Sequence, residues 1–254
     1  MGYKKFMKLY DYDEKWLDKY RQERSIKAEK ICKILKFYNN KVTPVILDLG
    51  CFEGKMEEQF KKYTDSFVIG IETSFEVLRI ALSNKENIDA ENVSFIVADA
   101  NYLPIKNEIV DWLVCNQVID CMENKVQTLQ EFDRTLKSDG LVYLSTGNKL
   151  ILKFYKKFPK FFIPFLGPYY GRFMTSTSSK FQHYTYYRFW KKTVLENTKL
   201  AITDITSLVA TNKIKFQDEN SKSWFIRFFY YLFHNWSPTW VFILQHNVLE
   251  RKNK

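Results

Sequence analysis

The sequence predicts an α/β protein whose mostly parallel sheet carries helices on both faces. Three observations lead there. From Val45 onward, short apolar runs of strand character alternate with longer stretches whose apolar residues recur at helical spacing. Two glycines, Gly50 and Gly54, stand where the first of those runs gives way to a helical stretch. The acids and amides that could hold a ligand, Asp48, Glu72, Asp99 and Asn116, each end or follow a strand run, which is where an open parallel sheet places its crevice.

In chain order, DEKWLDKYRQERSIKAEKICKILKFY carries Leu17, Tyr20, Ile31, Ile34 and Leu35 at helical spacing, so residues near 13 to 38 are expected to be helical. Pro44 closes the linker behind that helix. VILDL then reads as strand, GKMEEQFKKY as helix, FVIGIE as strand, SFEVLRIALSN as helix, VSFIVA and VDWLVCN as strands, KVQTLQEFDRTLK as helix and GLVYLST as strand. Beyond a basic, aromatic stretch, YRFWKKTVLENTK reads as helix, and AITDITSLVA and SPTWVFILQHN as the last two strands. With 254 residues, 46% hydrophobic and 17% aromatic, the chain is expected to fold as one domain around one substantial core. Its parts are an N-terminal helical segment over 1–40, a ligand-binding core over 41–148, a basic aromatic cap over 149–192 and the rest of the sheet over 193–254.

MGYKKFMKLYDYDEKW contains no apolar run of signal-peptide length, and Phe6 stands where a myristoylation motif based on Gly2 needs Ser or Thr. The expected location is therefore cytoplasmic. Cys32, Cys51, Cys115 and Cys121 form neither a CxxC pair nor a zinc spacing, which suits buried thiols in a reducing compartment and gives no expectation of a metal.

The strand ends hold the chemistry. Gly50 allows a sharp turn, and Gly54 allows the next helix to begin close beneath a ligand. Glu72 follows Gly50 at the distance where a carboxylate accepts hydrogen bonds from both ribose hydroxyls, so the ligand is expected to be an adenosine derivative. A dinucleotide fits less well, because GxGxxG laid on Gly50 would need glycine where Phe52 and Lys55 stand. A bare tight turn would explain the two glycines but would leave Asp48 and Glu72 without a role. Asp99 would also serve as a simple turn cap.

With these residues the chain resembles the class I methyltransferases that use S-adenosyl-L-methionine, and among them the methyltransferase type 11 group. The resemblance rests on LDLGCFEG, the acid of VIGIET, VADANYLPI, VDWLVCNQVIDCM and EFDRTLKSDGLVYLST, in that order, over residues 45 to 147. It implies a Rossmann-like sheet with an antiparallel last strand, and S-adenosyl-L-methionine as cofactor. It further implies that Asp48, Gly50 and Gly54 shape the pocket for the methionyl end, that Glu72 holds the ribose, and that Asp99 reads the adenine amino group. Asn116 would line the floor below the sulfonium, with Cys51, Thr73, Ala100 and Gln117 as neighbours in the same pocket. In related enzymes a helix ahead of the core closes over the cofactor with a basic group near its carboxylate; of Tyr20, Arg21 and Arg24, the candidate is Arg24. Two departures stand out. Phe52 takes the place of the family's middle glycine, and Asp120-Cys121 stands where many relatives carry Glu-His.

Methyl transfer needs a base only when the acceptor must lose a proton. Asp120 and His183 are the candidates, His183 because it lies in the cap ahead of the YYRFW helix. The cap itself is unusual in composition. Residues 149–192 hold ten Lys or Arg and no Asp or Glu, so the whole net charge of +10 arises there, together with 15 of the 44 aromatic residues. Clustered motifs such as FFIPFL suit a peripheral contact with an anionic membrane better than the separated stacking platforms of a nucleic-acid binder. An amphipathic cap whose rings pack on the sheet while its lysines stay in water is the third reading. Two functional classes follow: a methyltransferase acting on a small-molecule, lipid-linked or glycan acceptor, with RNA as a less favoured substrate, or a module that binds the cofactor or a membrane without chemistry.

Overall fold

The computed structural model describes residues 14–85, 91–149, 185–206, 209 and 239–246. Helix α1 spans Glu14–Tyr38 and leads into β1, Val45–Leu49. Next come α2 (Lys55–Tyr63), β2 (Phe67–Glu72), α3 (Phe75–Lys85), β3 (Val93–Val97) and β4 (Val110–Asn116). A short 3-10 turn at Ile119–Cys121 precedes α4 (Lys125–Thr135) and β5 (Leu136–Gly147); α5 (Tyr187–Asn197), β6 (Leu200–Asp204) and β7 (Thr239–His246) complete the described elements.

The strands form one sheet in the order β3-β2-β1-β4-β5-β7-β6. Neighbours from β3 to β5 pair in parallel, and β7 runs antiparallel between β5 and β6. The chain winds outward from β1 through β2 to β3, then crosses back to lay β4 on the other side of β1. Strand order reverses between β1 and β4, which is where an open parallel sheet of this kind binds its ligand, at the carboxyl ends of the strands.

Side-chain alternation along β1 sorts the core onto two faces. Ile46 packs with Ala28, Ile31 and Leu35 of α1 and with Met56 and Phe60 of α2. Leu47 and Leu49 pack on the opposite side with Leu129 and Phe132 of α4 and with Trp190 and Val194 of α5. Asp48, two residues after Ile46, therefore shares the face of α1 and α2. Below the sheet's other end, Asp111 at the start of β4 is 2% exposed. It accepts hydrogen bonds from Val45 N, Lys41 Nζ and Lys137 Nζ at 2.9, 2.6 and 2.9 Å. Burial works against its charge, but these donors outweigh burial and hold the carboxyl below the usual carboxylate range.

The expected elements are present, with two shifts. Helix α4 ends at Thr135, because Leu136 already pairs with Val110 and opens β5. Of the run AITDITSLVA only the first four residues are strand, in β6, Leu200–Asp204. There Asp204 Oδ1 accepts the Thr206 N–H at 2.8 Å, and Val209 N donates to Ile205 O at 3.1 Å, so the chain turns helical. Among the described residues no helix is long and apolar enough to cross a membrane.

Candidate functional site

The turn after β1 is built by backbone conformation. Gly50 and Gly54 have φ of 70° and 77°, and Phe52 between them has φ of 53°, a left-handed value that costs a side-chain-bearing residue about 1 kcal/mol. Phe52 thus holds, at a cost, the conformation that the family's middle glycine adopts freely. The N–H groups of Gly50 and Cys51 both donate to Ile71 O, at 2.8 and 3.1 Å, tying the turn to β2. A Cβ on Gly50 would meet Val118 Cγ2 at 2.5 Å, and one on Gly54 would meet the Phe95 ring at 2.7 Å. The space left by both missing side chains is therefore filled by protein. Gly50 lets the loop after β4 close against the loop after β1, and Gly54 lets α2 and α3 approach β3.

Glu72 ends β2. Its Oε1 accepts from Thr73 N, Thr73 Oγ1 and Ser74 N at 2.9, 3.2 and 3.1 Å, which fixes the side chain; among the described residues nothing donates to Oε2. Asp99 is exposed beyond β3, and its Oδ1 accepts from Asn101 N and Nδ2 at 2.9 and 3.0 Å. Asn101 Oδ1 in turn accepts from Thr128 Oγ1 of α4 at 2.9 Å. The turn-cap geometry of Asp99 is thus present in an exposed residue, and the Asn101–Thr128 brace has no signal in the sequence because its members come from separate elements. Ala100 is buried against the core. Asn116 ends β4 at 3% exposure and is oriented by Ser145 Oγ, which donates to its Oδ1 at 2.8 Å. Gln117, with φ of 61°, reaches Thr239 Oγ1 through Nε2 at 3.4 Å.

On the other side of β1 lies a feature that the sequence did not disclose. Asp48 and Glu57 of α2 are 1% and 0% exposed, they act on each other, and among the described residues none donates a hydrogen bond to any of their four carboxyl oxygens. Burial raises Asp48 to about 6, with Glu57 and Arg24 pulling the other way, and burial and Asp48 raise Glu57 well above the usual range. Arg24 rests its Nη1 on Met56 Sδ at 2.9 Å and is the cation that acts on both acids. Its neighbour Arg21 donates through Nε to Glu53 Oε2 at 2.9 Å. Glu53 is 1% exposed and sits in the glycine turn, so α1 is clamped directly to that turn.

Asp120 does not face the crevice as a free base. Its Oδ1 accepts from Thr146 Oγ1 at 2.6 Å and its Oδ2 from Gly147 N at 2.8 Å, so both oxygens brace the loop after β4 to the end of β5. Burial lifts its carboxyl to about 6, offset in part by those two donors and by Lys125. Cys51 and Cys115 are buried and their thiols are pushed up, first by burial, which is the behaviour of small core residues. His183 and most of the cap lie outside the described residues. Among the described residues no cluster of His, Cys, Asp or Glu could hold a metal.

Comparison with known proteins agrees with this geometry. Residues 40–161 match the family model described as a methyltransferase domain. A ubiquinone biosynthesis O-methyltransferase from Dictyostelium discoideum is 27% identical over 143 residues, covering 49% of this chain and 44% of that protein. A malonyl-[acyl-carrier protein] O-methyltransferase from Hamiltonella defensa is 28% identical over 127 residues, covering 50% of this chain and 47% of that one. The match thus spans under half the length of these curated relatives. The YcgJ protein of Bacillus subtilis has the same fold, with a TM-score of 0.55 at 15% identity over 84% of this chain and 97% of its own. So does a Haemonchus contortus phosphoethanolamine N-methyltransferase solved with S-adenosyl-L-methionine, with a TM-score of 0.54 at 13% identity over 85% of this chain and 51% of its own.

Residues 40–161 thus match a methyltransferase domain, and the sheet has the order of the class I methyltransferase fold, a class whose cofactor is S-adenosyl-L-methionine. The residues present fit that cofactor. Among the described residues Glu72 and Asp99 each have one carboxyl oxygen anchored and no donor to the other, and the buried acidic pair, also without donors there, would attract a cationic group beneath the turn.

Proposed function

We propose that the protein transfers a methyl group from S-adenosyl-L-methionine to a small-molecule, lipid-linked or glycan acceptor. The observation that carries this reading is the division of labour within Glu72 and Asp99, where one oxygen is locked by the chain's own donors and the other is left for a ligand. Glu72 would accept the ribose hydroxyls and Asp99 the adenine amino group. Asp48, Gly50, Cys51 and Gly54 would shape the methionyl end, with Arg24 beside it; Thr73, Ala100, Asn116 and Gln117 would line the rest. The bound cofactor supplies a methyl on a sulfonium, a good leaving group. The protein's part is then to position the acceptor and exclude water, which account for most of the rate in such displacements.

The relatives support the general class and leave the acceptor broad, since their names span a ubiquinone precursor pathway, malonyl-acyl carrier protein and arsenite. The test is incubation of the full-length protein with cofactor labelled in its methyl group and a cell lysate separated into lipid, RNA and soluble fractions. Label is expected in the lipid or soluble fraction. Label in RNA would transfer the substrate to that class, and binding of cofactor with no label anywhere would favour a binding module.

A further inference from the structure

The reading above places Asp48 at the methionyl end and gives no proton-transfer role to Asp48 or to its buried neighbour Glu57. Two carboxylates inside a low-dielectric core, side by side and without donors, cannot both carry charge; the stable arrangement is one proton shared between them. Asp48 lies two residues before Gly50, at the strand end where order reverses, and Glu57 comes from the first turn of α2. The groups that act on them are Arg24 from α1, Glu72 from β2, Cys51 in the turn and Cys115 in β4. Of these, Arg24 is the cation.

We propose that Asp48 and Glu57 form a proton-sharing pair that gives up its proton when the positively charged cofactor binds, and so distinguishes the methyl donor from its demethylated product. The inference rests on the cofactor reading of Asp48 and the glycine turn. S-adenosyl-L-methionine carries a sulfonium and an ammonium against one carboxylate, and S-adenosylhomocysteine lacks the sulfonium. A positive charge arriving at the end of β1 stabilises the doubly ionised pair, while a ligand without net charge does so less. Donor binding therefore favours proton release, and loss of the sulfonium charge on transfer favours proton return and looser holding of product.

Burial raises Asp48 to about 6, and burial together with Asp48 holds Glu57 well above the usual carboxylate range, so the unliganded pair keeps a proton at a pH where exposed carboxyls have lost theirs. Donor affinity should rise with pH while that proton is present, by at most about tenfold per pH unit, and level off once the unliganded pair has lost it.

The experiment is calorimetric titration of the full-length protein with S-adenosyl-L-methionine and, separately, S-adenosylhomocysteine at pH 7.5. Each is run in phosphate and in Tris, whose different ionisation enthalpies reveal protons exchanged. The expected result is release of roughly half to one proton with the donor and clearly less with the product. Glu57→Gln, whose amide can donate permanently to Asp48, should abolish the difference while both ligands still bind. Equal proton exchange for the two ligands, or none, overturns the inference and leaves the cofactor site standing. Wild-type proton release persisting in Glu57→Gln also overturns it, since another group would then be the source. Failure of either ligand to bind the wild-type protein overturns both the inference and the site.

Discussion

At the scale of single residues, Glu72 and Asp99 differ in what their loss should do. Glu72 anchors its own loop through Oε1 and in the proposed site would offer Oε2 to two ribose hydroxyls, so Glu72→Ala should remove charge-assisted hydrogen bonds worth about 1.5–3 kcal/mol. Cofactor affinity measured by calorimetry should fall about 10- to 100-fold. Asp99→Ala should cost less, because the residue is exposed and its interaction competes with water. Asp120 predicts the opposite pattern. Removing it in Asp120→Ala strands the Gly147 N–H and the Thr146 hydroxyl, at about 1–3 kcal/mol of stability, with cofactor affinity nearly unchanged. Its raised carboxyl also sets a pH dependence: its contribution is full below the unfolded value near 3.8 and is lost as pH rises through about 6. Thermal unfolding followed between pH 4 and 7 should show a flatter profile in Asp120→Asn than in the wild type. The strand-end positions of Asp48, Glu72, Asp99 and Asn116 were legible because each ends or follows an apolar run. Glu57 was not: in GKMEEQFKKY it reads as one of two acids that favour a helix N-terminus, and only the packing of α1 over α2 shows that it is buried.

Among elements, the clamp between α1 and the glycine turn is the contact that matters most for the site. A charged helix with Arg21 and Arg24 one turn apart predicts that some basic group meets the cofactor region, but not which partner each one takes. In the fold Arg21 reaches Glu53, while Arg24 lies by Asp48 and Glu57. Arg21→Ala should therefore lower stability by about 1–2 kcal/mol through loss of a part-buried, charge-assisted hydrogen bond. Combined with Glu53→Gln in a double-mutant cycle read by denaturant unfolding, the two changes should be clearly non-additive. Additive losses would mean that the pair does not couple α1 to the turn. Element boundaries were less legible than element identity. The run AITDITSLVA looks like one ten-residue strand, yet Asp204 captures the Thr206 N–H and ends it halfway, a local capping choice that apolar periodicity does not register.

For the molecule as a whole, the sheet order places the start and end of the basic cap together. Asn148 and Thr185 form a parallel bridge, and Lys149 N donates to Thr185 O at 3.3 Å, so the chain leaves and returns at the carboxyl end of β5, beside the crevice. Lys149 Nζ also sits 5.2 Å from the Tyr186 ring centroid. Between these ends runs a segment that belongs to the stretch 149–192, with ten basic residues, no acid and 15 aromatics. A cationic, aromatic composition of this kind suits contact with an anionic surface, and we propose that this stretch makes one. The protein should therefore sediment with phosphatidylglycerol vesicles at low salt and be released as salt rises, because screening weakens exposed charges. At about 1 kcal/mol for each basic residue near the surface, replacing Lys156, Lys157 and Lys160 together by alanine removes about 3 kcal/mol, on the order of 100-fold in partitioning. Sedimentation should then be lost, with cofactor affinity intact because the glycine turn, Glu72 and Asp99 are untouched. Equal binding to neutral vesicles would replace electrostatic attachment by plain apolar association, and preference for single-stranded RNA over vesicles would move the acceptor to nucleic acid.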